Sequence, residues 1–171
     1  MRFLIGFVSG VLVVIAVALI FVIEGGMPVT TKDGPLPFES FLAHASIRAA
    51  LKKSADVQPP FAPDPTHLLA GAKVYRNHCA GCHGMMDQKD TRFVEAMYPH
   101  PPLLLPPQKG VTDDPAGETY WKSKNGIRLS GMPGFAEILN DTELWEVSVF
   151  LAKADHLPAE VQTEVQAPRA Q

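Results

Sequence analysis

The sequence predicts an all-α chain: one long apolar helix at the N-terminus, then a small helical domain. Three observations carry this. Residues Phe3 to Ile23 run for 21 positions without a charge. Helix-start signals recur downstream at Asp64-Pro65, Asp114-Pro115 and Asn140-Asp141, where a short polar side chain stands just before a run of helical periodicity. The only two cysteines of the 171 residues lie three apart at the end of one such helix, as Cys79-Ala80-Gly81-Cys82-His83.

The first element is the apolar run. It is long enough to cross a hydrocarbon core as a helix, which takes about 20 residues. The alternative is a cleaved signal peptide, whose apolar region is shorter, about 7–15 residues, and ends in a small-x-small site. Here Ala16-x-Ala18 lies inside the run, with Leu19 to Ile23 still to follow, so an uncleaved anchor is expected over residues 1–24. No cysteine lies nearby, which excludes a lipid-modified N-terminus. Arg2 precedes the run, and a basic flank marks the cytoplasmic side. The remainder is then expected on the far side, the periplasmic face of a bacterial cytoplasmic membrane.

Residues 25–63 read as linker and juxtamembrane helix. Three glycines and three prolines break the chain between Gly25 and Pro37, and a second breaker-rich stretch runs from Val57 to Pro65. Between them Phe38 to Ala55 holds neither residue type. On a helix, Phe38, Phe41, Leu42, Ala45 and Ala49 share one face, and Ile47 and Leu51 the other. Lys52 and Lys53 suit lipid headgroups, and a face packed on the next domain or a partner is the competing reading.

The helical domain is expected over 64–157. Asp64 caps its first helix, with Pro65 at the first helical position, and Leu68, Ala72, Tyr75 and Cys79 recur at helical spacing. Five prolines between Tyr98 and Pro107 forbid regular helix there. Leu103, Leu104 and Leu105 within that segment are too apolar for a solvated loop. A helix from Pro115 to about Lys124 should start at an Asp114 cap and end at Asn125-Gly126. A last helix, capped by Asp141 or Asn140, should run to about Ala154. Residues 158–171 are polar and read as a frayed tail.

C-x-x-C-H is the attachment pattern of a c-type haem. Two thiols at this spacing can add to the two vinyl groups along one porphyrin edge, and the histidine next to them is held under the iron. Zinc would need a second ligand pair, and no second C-x-x-C or H-x-x-x-H exists. A thioredoxin-like dithiol would need a strand leading into the motif, and a helical pattern leads in instead. One haem c is therefore expected, bound through Cys79 and Cys82 with His83 on the iron. His83 should give its other ring proton to a carbonyl near Pro101 or Pro102. Pro102 and Leu103 are expected against the porphyrin.

The second axial position decides between carrying electrons and binding ligands. Met85 and Met86 are too close to His83 to reach the other haem face. Met97 and Met132 are not, and His100 competes from the proline segment. Met132 sits in a stiff loop, Gly131-Met132-Pro133-Gly134, whose glycines permit a close approach to the ring.

With these residues in view, Thr66 to Leu157 resembles the class I cytochrome c domain. Gly71-Ala-Lys-Val-Tyr75-Arg-Asn-His-Cys79-Ala-Gly-Cys82-His83-Gly84 is similar to that family's first helix and haem motif. Lys124 to Phe135 is similar to its distal methionine loop, and Asp141 to Leu151 to its final helix. The resemblance implies an all-helical fold around one covalent haem, Met132 as distal iron ligand, and one-electron transfer. It also implies that Trp145 packs over Gly71 where the first and last helices cross. The layout looks like a membrane-tethered cytochrome or the cytochrome subunit of a respiratory or dehydrogenase complex. Its partners would be membrane redox complexes or soluble redox proteins, and electrons would leave near the Cys79–Cys82 edge. The alternative is a haem-based ligand sensor or peroxidase-like enzyme with a labile distal ligand; no histidine or carboxylate adjoins Met132 to serve it. A formal net charge of −3 gives no basic surface for nucleic acid.

Overall fold

The computed structural model describes residues 2–88 and 91–166. Among them there are helices and turns and no strand. The chain divides into two compact units, one ending at Ala45 and the next beginning at Ser46.

The first unit contains α1 (Arg2–Ile23), which is long and apolar enough to cross a membrane. None of its described side chains is buried within the chain. It stops at Gly25, whose φ of 78° suits a residue without a Cβ, and the Gly26 amide returns to the Phe21 carbonyl at 2.8 Å. α2 (Glu39–Leu51) begins in this unit.

The second unit holds α3 (Pro65–His78), α4 (Ala80–His83), α5 (Arg92–Glu95), α6 (Ala116–Asn125), α7 (Asp141–Ala152) and α8 (Ala159–Gln166). Its core forms where α3 crosses α7, with α6 and α8 packed alongside. α3 starts as anticipated: Asp64 Oδ1 accepts from the His67 amide at 2.9 Å with Pro65 behind it. α7 is capped by Asn140 rather than Asp141. Asn140 accepts from the Glu143 amide at 3.1 Å, and Glu143 returns the bond to the Asn140 amide at 2.8 Å, a reciprocal capping box.

The crossing depends on Gly71. A Cβ there would overlap the Glu146 carbonyl and lie 2.8 Å from the Phe150 Cβ. Phe150, fully buried, is the α7 aromatic that meets α3, with its ring 5.6 Å from Tyr75. Trp145, expected in that place, instead stacks on Tyr120 of α6 at 4.1 Å and 10°. Positions 145 and 150 lie on different faces of one helix, so only one of them can face α3.

Three further expectations change. Asp114 does not cap α6: Pro115 occupies the cap position, and the Asp114 carboxylate accepts from Lys122 Nζ at 3.2 Å. The helix expected over Phe38 to Ala55 is shorter and ends at Leu51; Leu51 and Ser54 are buried, and Gly117 of α6 packs directly on the Ser54 carbonyl, in line with the packed reading of that segment. The polar tail does not fray through residue 166. α8 buries Val161 and Val165 completely, and Arg76 of α3 pairs with its Glu164 at 2.7 Å. Residues 167–171 of the tail lie outside the described residues.

Candidate functional site

α3 hands the chain directly into the cysteine motif. Within the turn of α4, the amides of Cys82 and His83 both bond the Cys79 carbonyl, at 3.1 and 2.9 Å. Cys79, Cys82 and His83 thus stand at i, i+3 and i+4 and share one face. The Tyr75 hydroxyl, one turn before Cys79, donates to the carbonyls of His83 at 3.0 Å and Gly84 at 2.6 Å. Its one proton is shared between these two carbonyls at the end of the turn, which fixes the backbone that carries the imidazole. The role of Tyr75 was not legible beforehand, although its spacing from Cys79 placed it on the same helix face.

That face opens onto a cleft of about 720 Å³, open solvent at its mouth included. Its walls bring together residues far apart in sequence: His78, Cys79, Cys82 and His83; Met97 and Pro99 to Pro102; Ser123; and Ser130 to Pro133 with Phe135. Cofactor pockets are mostly apolar with a few placed polar groups, as this cleft is. Met132 and both rival residues, Met97 and His100, line this cleft. Pro102 lies on its wall. Leu103 does not: its Cδ2 lies 2.6 Å from where a Cβ on Gly84 would stand, and Leu105 is buried in the core.

The proline segment supplies a carbonyl that no helix claims. His83 Nδ1 lies 2.7 Å from the Pro102 oxygen, and a carbonyl can only accept, so Nδ1 carries the proton. The Nε2 lone pair is left for a ligand. Burial pulls the His83 pKa down, against the opposing effect of the Pro102 bond; the neutral imidazole, the form that ligates metal, is favoured. Burial, with Cys82 adding to it, pushes the Cys79 thiol up to about 12. Neither cysteine is in a disulfide.

The methionine loop is held by backbone contact. Gly126, at φ 70°, packs against the Met132 carbonyl and the Gly134 amide. The Ile127 amide bonds the Met132 carbonyl at 3.1 Å, and the Met132 amide donates to Ser130 Oγ at 3.2 Å. Met97 closes on Gly131 from the proline side.

The residues fit a haem of the c type: two thiols and a neutral imidazole on one face of an apolar cleft, with thioether sulfurs also on its walls. The fold and the cleft together define a class I cytochrome c domain. Residues 66–151 match the family described as cytochrome c oxidase, cbb3-type, subunit III, and the chain belongs to that family. Comparisons with curated proteins and with solved structures give no match. Membership makes this a haem-binding c-type cytochrome with a role in electron transfer.

Proposed function

We propose that the chain carries electrons one at a time through a single haem c joined by thioether bonds to Cys79 and Cys82, with His83 Nε2 and Met132 Sδ as the iron ligands. Bound there, haem supplies a ferric/ferrous couple. The observation that carries the reading is the fixed imidazole: Pro102 holds His83 Nδ1–H at 2.7 Å on the same cleft that Cys79, Cys82 and Met132 line. Pro102 orients the ring and raises its basicity. Tyr75 pins the turn beneath it. The apolar walls exclude water, and the loop contacts around Gly126 hold the Met132 sulfur without ordering it anew at each turnover. Leu103 contributes from behind, against Gly84.

α1 anchors the chain in a bacterial cytoplasmic membrane, with its N-terminus cytoplasmic and the haem domain periplasmic. The family's description supports service within a membrane-bound oxidase, with a redox protein or complex of the respiratory chain as donor and acceptor. A tether keeps such partners at high effective concentration.

The test is the visible spectrum of the detergent-purified protein, oxidised and reduced, with and without carbon monoxide, then denaturing electrophoresis stained for haem. A low-spin c-type spectrum, a sulfur–iron band when oxidised, no carbon monoxide response and haem retained on the gel are expected. A carbon monoxide-sensitive or high-spin spectrum refutes the Met132 ligand and favours ligand sensing. Haem lost on the gel refutes covalent attachment.

A further inference from the structure

We propose that the first half of α2 is a second membrane contact, lying in the lipid headgroup region with Phe38, Phe41 and Leu42 turned into the bilayer. The proposal rests on α1 spanning that bilayer.

The three side chains are 77%, 63% and 60% exposed. Phe41 and Leu42, with Ala45 and Ala49, share one face of the helix, opposite the face of Leu51, which is buried. Packing of Leu51 therefore leaves the Phe41 stripe uncovered. Phe38 holds a left-handed φ of 65°, a conformation that costs an L-residue about 1–2 kcal/mol. Its ring is mostly solvent-exposed, so contacts within the chain do little to offset that cost. Aromatic and aliphatic clusters left in water mark a surface meant for something else.

Two features select lipid as the occupant. Phe38 comes 15 residues after the end of α1, within the same compact unit, and even a random chain of that length spans only roughly 20 Å. The stripe is thus held beside the bilayer surface. Lys52 extends the same face toward the C-terminus, with Arg48 and Lys53 flanking it, and all three are exposed. An apolar stripe rimmed by long basic side chains suits a surface of anionic headgroups over acyl chains. The reach of the cytochrome domain is then set by the chain beyond Leu42, rather than by the longer stretch that starts at the end of α1.

The test places nitroxide labels on single cysteines introduced into the full-length, haem-loaded protein in vesicles of phosphatidylethanolamine and phosphatidylglycerol. The unsubstituted protein controls for labelling at Cys79 and Cys82. Phe41→Cys and Leu42→Cys should show raised accessibility to oxygen over a water-soluble nickel chelate. Ser40→Cys, on the opposite face, should report water. Val14→Cys reports the anchor independently. Labels at 41 and 42 that match the Ser40 site, with the Val14 site deep, overturn the proposal while leaving the anchor intact. A shallow Val14 site overturns both. Labels at 41 and 42 that are wet in vesicles but immobilised in native membranes overturn it in favour of a protein partner.

Discussion

The His83 imidazole donates its Nδ1 proton to the carbonyl of Pro102 across 2.7 Å, nineteen residues along the chain. A backbone acceptor on a proline segment is unusually constrained, because proline fixes φ and the neighbouring prolines restrict the residues before them.

Loosening that acceptor should alter the iron rather than the fold. Pro102→Gly keeps the carbonyl and removes the restraint. With His83 on the iron as proposed, a weaker bond makes it a poorer electron donor, which disfavours ferric iron, so the midpoint potential of the haem-loaded protein should rise. Redox titration beside the unsubstituted protein measures it. An unchanged potential would mean that the contacts of Leu103 and Leu105 hold the carbonyl without help from the ring.

Gly71→Ala should force α3 and α7 apart, because the new Cβ meets the Glu146 backbone rather than a flexible side chain. Overpacking of this kind costs about 1–3 kcal/mol, and a helix-propensity gain of up to about 1 kcal/mol offsets part of it. The midpoint of urea unfolding should fall. Unchanged stability would show that the crossing can slide.

Asp141, Tyr120 and Lys124 tie the end of α6 to the start of α7. Tyr120 donates to the Asp141 carboxylate, and Lys124 Nζ lies 3.0 Å from it. The Tyr120 hydrogen bond first, and Lys124 second, hold the Asp141 pKa below its ordinary 3.8. A carboxylate whose folded pKa is depressed adds stability that is complete above the unfolded value and is lost as pH falls through the folded one. The unsubstituted protein should therefore be the more stable at pH 7 when compared with Asp141→Asn. The gap should shrink as pH drops below about 3.8 and narrow in high salt, since the pair is exposed. Denaturation curves across pH and salt check both.

Much of this arrangement could be read from residues alone, for reasons that also explain the misses. The cysteine motif is legible because its chemistry fixes its spacing. The Pro102 carbonyl is legible because a proline segment leaves carbonyls unclaimed. Asp64 and Asp114 carry the same cap signal, yet only Asp64 caps; the competing partner, Lys122, lies a helix turn or two away and becomes visible only in three dimensions. Trp145 and Phe150 are both aromatics of one helix, and nothing local says which one turns toward Gly71. The cleft itself draws on four separated stretches, so its assembly was legible only through the family resemblance.

The C-terminal helix gave the weakest signal and bears a testable load. Within Ala159–Gln166 only Val161 and Val165 are strongly apolar, at i and i+4, and both are completely buried against the α3 side of the core. Val165→Ala removes two carbons, each worth about 0.8 kcal/mol by transfer, and leaves a cavity that adds to the loss. Stability should drop by about 2 kcal/mol in urea unfolding. Glu160→Ala, at an exposed site of the same helix, should stay within about 0.5 kcal/mol of the unsubstituted protein. Removing residues 158–171 should cost more than Val165→Ala, because it also strips the Glu164 partner from Arg76 and uncovers the side of α3 on which α8 packs. If the truncated protein unfolds at the same urea concentration as the full chain, α8 is an ornament on a core that α3, α6 and α7 complete alone.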